Sequence, residues 1–143
     1  MSTGPGTPAP LDLANEMARG TLMERMGIVF VEVGPDRLVA TMPVEGNTQP
    51  YGLLHGGASV VLAETLGSFG SVVHAGPGRV AVGIDVNATH HRAARRGVVT
   101  GTATPLHLGG TTASWQIAVT DEDGRPVCTA RITCLLRDAA PGA

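Results

Sequence analysis

The chain of 143 residues contains no lysine, few aromatic residues and few charged residues. Its ten basic residues are all arginine, 3% of its residues are aromatic and 15% are charged, against about 25% in a typical soluble domain. The scarcity of aromatic residues argues against a protein that stacks nucleic-acid bases on its surface. The low charge predicts a surface that is partly covered in an oligomer, although a genome biased toward glycine and alanine would give the same composition.

Long hydrophobic runs and cysteine-rich patterns are also missing. No apolar stretch approaches the roughly 18 residues of a membrane-spanning helix, and the N-terminus lacks the charged and apolar regions of a signal peptide. We therefore expect a cytoplasmic protein that does not bind membranes. Cys128 and Cys134 lie six residues apart on one predicted strand. Their separation of roughly 20 Å excludes a disulfide between them, and two thiols at that spacing make no zinc site.

The chain is long enough for one domain with a hydrophobic core. We assign residues 1–10 to a disordered N-terminal tail, residues 11–137 to a single domain and residues 138–143 to a C-terminal tail. The predicted elements are a helix over 11–19, strands over 28–33 and 37–44, a helix over 56–74, and strands over 79–86, 98–103, 114–120 and 126–136. One apolar helix among strands with an apolar and a polar face favours an α+β fold, with an antiparallel sheet wrapped around the helix.

Glu64 is the only charged residue in the long predicted helix. Because an apolar environment strips solvent from a carboxylate at a large energetic cost, we interpret Glu64 as functional. Ser68 and Ser71 are expected on the same helix face, where a serine can orient the carboxylate or a water molecule. A structural ion pair between Glu64 and an arginine of the sheet is the alternative. Gly67 and Gly70 each cost about 1 kcal/mol relative to alanine, which predicts close approach of a backbone or a ligand.

Gly56 and Gly57 open this helix, where backbone N–H groups lack partners and the helix dipole is positive. Such groups can bind a carbonyl oxygen and stabilise the charge that develops on it during acyl transfer, although the glycines would also serve simply to start the helix. Gly57 and Glu64 are about 10 Å apart along the helix axis. Both can act on one ester or thioester carbon only if they come from two subunits, so we predict a homodimer with shared sites.

Polar residues before and after the helix complete the candidate site. Gln49 and His55 precede it and can donate hydrogen bonds to a carbonyl group. Residues 87–97 form a basic patch whose arginines suit phosphate, with a solvated loop as the alternative. The patch is too short and too poor in aromatic residues to predict a nucleic-acid site. Because His90 and His91 are adjacent, they suit a single metal ion poorly, and no metal site is predicted.

The segment 49–68 closely resembles hotdog-fold acyl-CoA thioesterases of the phenylacetate-pathway type. Within them it is most similar to the glutamate-dependent 1,4-dihydroxy-2-naphthoyl-CoA and 4-hydroxybenzoyl-CoA thioesterases. Residues 87–92, 105–110 and 115–125 are also similar to this family, and the similarity spans about 11–137. The resemblance implies a hotdog fold, an α+β fold with an antiparallel sheet around one long central helix. It also implies hydrolysis of acyl-CoA thioesters, with aromatic acyl groups, to the free acid and CoA without a cofactor.

The resemblance also implies roles for individual residues. Glu64 would act as nucleophile or as general base on water, and the Gly56 N–H would polarise the thioester carbonyl. Gln49 and His55 would position that carbonyl, and Ser68 would support the carboxylate or the water. The residues implied to contact the CoA moiety are His90, His91, Arg92, Gly109, Gly110 and Thr111.

Gly110 departs from the family pattern, because relatives often have a serine there. Thr111 and Thr112 are candidates to replace the missing hydroxyl. An acyl-carrier protein is an alternative to CoA as the thioester carrier, since the basic patch would serve the phosphate of either. We expect a homodimer with shared sites and, built from it, a homotetramer.

Two other function classes stay open. A hotdog dehydratase or hydratase acting on acyl thioesters also uses a histidine and a carboxylate across a dimer, but it resembles a proline-containing segment ahead of the helix that is absent here. A non-catalytic acyl-CoA sensor usually adds a DNA-binding segment, for which we expect no room in this chain.

Overall fold

A six-stranded antiparallel sheet and one long helix dominate the computed structural model, which describes residues 9–142. The strand order is β1-β2-β4-β5-β6-β3, and every neighbouring pair is antiparallel. The predicted α+β fold with a sheet around one long helix is confirmed. In chain order the elements are α1 (Pro10–Met17), α2 (Leu22–Met26), β1 (Val29–Val33), β2 (Leu38–Pro43), α3 (Gly56–Ala75), β3 (Arg79–His90), β4 (Val98–Leu108), β5 (Thr112–Thr120) and β6 (Pro126–Asp138).

Helix α3 lies with one side on the sheet and leaves the other side open. Its length and composition would allow it to cross a membrane, so the prediction that no stretch approaches that length is wrong. The helix nevertheless packs as a core element, because eight of its 20 residues are buried against the strands. The buried helix residues are Ala58, Ser59, Leu62, Ala63, Leu66, Gly67, Gly70 and Ser71.

The two glycines within α3 receive side chains from the sheet. A Cβ on Gly67 would overlap the Ile132 side chain, and a Cβ on Gly70 would lie 2.7 Å from the Trp115 ring. The Trp115 Nε1 donates to the Ser71 Oγ at 3.1 Å, and that hydroxyl donates to the Gly67 carbonyl at 2.8 Å. Close packing of side chains, rather than a backbone or a ligand, therefore explains both glycines.

Ser71 does not share the open face with Glu64, so that prediction is wrong. Seven residues fall only about 20° short of two full helix turns, so the two positions differ in what covers them. The Trp115 ring lies over α3 at Gly70 and Ser71. Ser71 is fully buried under Trp115, whereas Glu64 is exposed. Ser71 is a structural residue of the core.

Strands β3 to β6 are longer than the sequence predicts, whereas β1 and β2 are slightly shorter. Strand β3 continues to His90, because Asn87 pairs with Arg131 and His90 with Cys128 across β6. Strand β4 continues past Pro105, which lies at a bulge where the missing N–H is tolerated. Polar residues and a proline had made both segments resemble loops. The five-residue helix α2 was not predicted at all.

Regular secondary structure extends into both predicted tails. Helix α1 begins at Pro10, inside the predicted N-terminal tail, and ends at Met17. Residues 1–8 of that tail lie outside the described residues. Strand β6 continues to Asp138, the first residue of the predicted C-terminal tail, where Asp138 pairs with Arg79. Both cysteines are free and buried within β6, as expected, and burial raises the pKa of the Cys128 thiol.

We expect Gly67→Ala to destabilise the fold. The substitution gains about 1 kcal/mol of helix propensity, but the added methyl overlaps Ile132 in a packed core, where overpacking costs about 1–3 kcal/mol. The free energy of unfolding, measured by urea denaturation, should therefore fall. Gly110→Ala is the control, because nothing lies within 4 Å of its added methyl. Equal stability of the two variants would contradict the proposed packing.

Candidate active site

The first residue of α3, Gly56, presents a free backbone N–H. The His55 Nδ1 accepts the Gly57 N–H at 2.8 Å, and the His55 carbonyl accepts the Ala58 N–H at 2.9 Å. The Gly56 N–H has no acceptor within residues 9–142. Because the His55 Nδ1 accepts, the proton of a neutral ring is on Nε2. His55 is thus a helix cap, and Gly56 supplies the donor at the positive end of the helix dipole.

Two histidine rings occupy the space that side chains at Gly56 and Gly57 would need. The His90 Nε2 lies 2.9 Å from the position of a Cβ on Gly56, and the His55 Nδ1 lies 3.0 Å from that of a Cβ on Gly57. His91 directly follows the end of β3, and its Nε2 lies 2.9 Å from the Thr129 hydroxyl.

A cavity of about 360 Å³ joins Gln49, Gly56 and His90. Leu53, Leu54 and Val127 add apolar surface, and His91 and Arg92 also line the cavity. The Gln49 Oε1 accepts the N–H groups of Tyr51 and Leu53, which leaves its amide NH₂ as a donor. The cavity thus offers the Gln49 amide and the Gly56 N–H as two donors for an oxygen of a ligand.

Glu64 is exposed on the open side of α3, so its predicted desolvation is wrong for a single chain. The alternative of an ion pair with a sheet arginine also fails within residues 9–142, because Arg131 lies 3.9 Å from Asp85 instead. The Glu64 Oε1 rests beside β3, 3.2 Å from the position of a Cβ on Gly83. Ser68 is half-buried on this side of α3, and its hydroxyl lies 3.9 Å from the Cys134 Sγ.

One chain does not bring Glu64 to the cavity. Gly56 and Glu64 are eight positions apart, which corresponds to about 12 Å along the helix. The cavity lining includes Gln49, Gly56 and His90 but neither Glu64 nor Ser68. The structure therefore assembles the donor half of the predicted site and leaves the carboxylate half on the open side of the same helix.

The predicted CoA contacts also fall into two groups. Gly109, Gly110 and Thr111 form the β4–β5 turn, where His74 donates to the Gly109 carbonyl at 2.8 Å and Arg79 to the Gly110 carbonyl at 2.9 Å. His74 lies about 27 Å along α3 from the cavity end. His90, His91 and Arg92 are at the cavity end. Within one chain, the two groups are too far apart to form one compact site.

A second cavity, of about 540 Å³, lies beside the first and shares Arg92 with it. The turn from Asp121 to Arg125 closes it, and the N–H of Arg125 is the main cause that lowers the pKa of the Asp121 carboxyl. Asp121 and Asp123 both pair with Arg125, and Glu122 accepts the Val98 N–H. The remaining arginines of this cavity, which form no ion pair within residues 9–142, are Arg92, Arg95 and Arg96.

Some residues of these sites were missed by the sequence analysis. The contribution of Arg125 to the second cavity was not predicted. Gly83 carried no signal beyond a glycine within a predicted strand, and such a glycine does suggest close approach of another group.

The chain is similar to known proteins in sequence and in structure. Residues 51–128 match the family model described as thioesterase superfamily. The proofreading thioesterase EntH of Cronobacter sakazakii is 48% identical over 86% of this chain and 90% of its own length. A thioesterase of Haemophilus influenzae has a crystal structure with a TM-score of 0.89 and 36% identity, covering 96% of this chain and 97% of that one. A glutamine-to-alanine mutant of a Pseudomonas aeruginosa thioesterase has a TM-score of 0.85 and 40% identity, covering 96% and 100%.

Proposed function

The chain belongs to the thioesterase superfamily, has its hotdog fold and is a thioester hydrolase, and from this premise we propose that it hydrolyses acyl-CoA thioesters in a site shared by two subunits. The free Gly56 N–H in the cavity with Gln49 carries the proposal. It is a preorganised donor for an oxygen that gains negative charge. Glu64 of the partner subunit would supply the carboxylate.

The proposed reaction needs only these groups and water. The thioester carbonyl oxygen accepts the Gly56 N–H, and the Gln49 amide holds it in place. Glu64 either removes a proton from an attacking water or attacks the carbonyl carbon itself. The tetrahedral intermediate collapses by breaking the carbon–sulfur bond, and the thiolate leaves. In the second case water then cleaves the acyl-glutamate anhydride, so both routes give the free acid and CoA.

The exposed edge of the sheet supports the dimer. Strand β3 is bonded to β6 on one side only, and long unpaired edges invite pairing with another chain. Val80, Val82 and Ile84 on this strand are 41%, 43% and 59% exposed. We therefore place the dimer interface at β3, paired with its copy by a two-fold axis.

This pairing would complete the site. An antiparallel two-fold arrangement places the Arg79 end of one β3 beside the His90 end of the other. The turn 109–111, which Arg79 holds, would then approach the partner's cavity and reunite the two groups of predicted CoA contacts. The same arrangement would cover the open side of α3 and bury Glu64. The expected homotetramer would join two such dimers.

The acyl group is proposed to be aromatic, with CoA as its carrier. Leu53, Leu54 and Val127 provide apolar surface beside the donors, and the family resemblance points to a ring. Beyond Arg92, the second cavity presents Arg95 and Arg96, neither of which forms an ion pair within residues 9–142. Arginine binds phosphate through a planar fork of donors, so these side chains suit the phosphates of CoA.

Glu64→Ala tests the function directly. Over a panel of acyl-CoA esters, the wild-type protein should release free thiol and the variant should lose at least about 100-fold in kcat, because the barrier loses its carboxylate. Asp12→Ala, in α1, is the control with the same loss of charge. An unimpaired Glu64→Ala variant would refute the proposal. If the wild type bound the esters tightly without releasing thiol, the protein would be a sensor. If it changed the acyl chain without releasing thiol, it would be a hydratase.

The shared site predicts complementation between two inactive variants. Gln49→Ala removes a donor from one half of the site, and Glu64→Ala removes the carboxylate from the other. A mixed dimer, co-expressed with two affinity tags and purified through both, contains one intact site and should recover about half of the wild-type activity. Each homodimeric variant is the control. No recovery in the mixed dimer would place Gln49 and Glu64 of the same chain in one site.

The second cavity predicts that loss of its arginines raises KM only for substrates that carry the nucleotide phosphates. Arg95→Ala combined with Arg96→Ala should raise KM for an acyl-CoA at least about 10-fold, because two charge-assisted contacts are lost. The KM for the same acyl group on pantetheine, which lacks the nucleotide phosphates, should not change. Arg19→Ala combined with Arg25→Ala removes two exposed arginines elsewhere and is the control. An equal rise of KM for both substrates would contradict the phosphate role.

A further inference from the structure

We infer that Gly83 is a positioning residue for the Glu64 carboxylate, an inference that rests on the proposed role of Glu64. Gly83 does not have the positive φ that would require glycine, yet it lies inside β3, where glycine weakens a strand. The nearest atom to a Cβ at this position is the Glu64 Oε1, at 3.2 Å, and the next is the Ile132 Cδ1, at 3.7 Å. The missing side chain leaves space for the carboxylate.

The surrounding strands mark the same point. Gly83 pairs with Cys134 on β6, and the Cys134 Sγ lies 3.9 Å from the hydroxyl of Ser68, one helix turn beyond Glu64. Directly after Gly83, β3 contains a bulge, because Asp85 rather than Ile84 pairs with Thr133. Bulges bend a strand and are common beside active sites.

Glu64 and Ser68 therefore pack against the strand pair of Gly83 and Cys134. The carboxylate sits against the glycine and the hydroxyl against the thiol. This packing sets the distance between the carboxylate and the sheet, on the side of α3 where the partner's cavity would meet it.

Gly83→Ala would displace the carboxylate without removing it. A contact of 3.2 Å is tighter than most real contacts of a Cβ, so the carboxylate must move by a few tenths of an ångström. Because misplacing a catalytic group by about 1 Å costs about 100-fold in rate, we expect kcat to fall about 10-fold. The KM should change little, since the thioester is held by donors of the other subunit.

A double-mutant cycle with Glu64→Asp tests the inference. Aspartate is one methylene shorter, which withdraws the oxygen from the added methyl. The loss caused by Gly83→Ala should therefore be about 10-fold beside Glu64 and less than about 2-fold beside aspartate. Gly34→Ala is the control, because its methyl meets the Arg37 carbonyl at 3.3 Å in the β1–β2 turn. It should leave kcat unchanged.

Equal losses in both backgrounds would overturn the inference, and so would a loss confined to KM or shared with Gly34→Ala. A variant that merely weakened the dimer would give equal losses and would count against it. Full activity of Glu64→Ala, in contrast, would overturn the proposed function itself.

Discussion

The seating of α3 on the sheet is the constraint on which the other features depend. The helix approaches the strands closely because Gly67 and Gly70 accept Ile132 and the Trp115 ring. A helix that is fixed along its length in this way has no freedom to shift either end. Its first turn is therefore held against His90 and its middle against Gly83. The core packing thus sets the positions of both the backbone donor and the carboxylate.

The rise of the helix then separates those two groups. Gly56 and Glu64 share one rigid element, about 12 Å apart along its axis, and no rotation of side chains can bring them to one carbon atom. The same rigidity places the β4–β5 turn and the His90 cavity at opposite ends of α3. A second copy, paired along β3, resolves both separations with one symmetry axis. The open β3 edge and the open helix side would thus be explained by the same interface.

The charged residues are also divided between the two halves of the proposed site. Glu64 is solvated in one chain, which removes the cost of burying a lone carboxylate during folding. Its surroundings would become apolar only when the partner covers it. On the other side of the site, Asp121 and Asp123 pair with Arg125, and Arg92, Arg95 and Arg96 form no ion pair within residues 9–142.

Much of the fold was accessible from the sequence, because helix and strand periodicity report on local structure. The long helix and the free cysteines were predicted correctly. The extensions of β3 and β4 were not, because polar residues there form ladder bonds that depend on a distant strand. Ser71 was misplaced because its burial depends on Trp115, which comes from a distant strand.

The sequence by itself determined whatever depends on spacing along one element. This includes the separation of Gly57 from Glu64 and the separation of the two cysteines, since helix rise and strand rise are constants of the backbone. Only the tertiary structure decided which distant residues meet. The contacts of His90 with Gly56 and of Gly83 with Glu64 join positions far apart in the chain. They depend on strand register, on the bulge beside Gly83 and on the depth of helix packing, and none of these is set by local sequence.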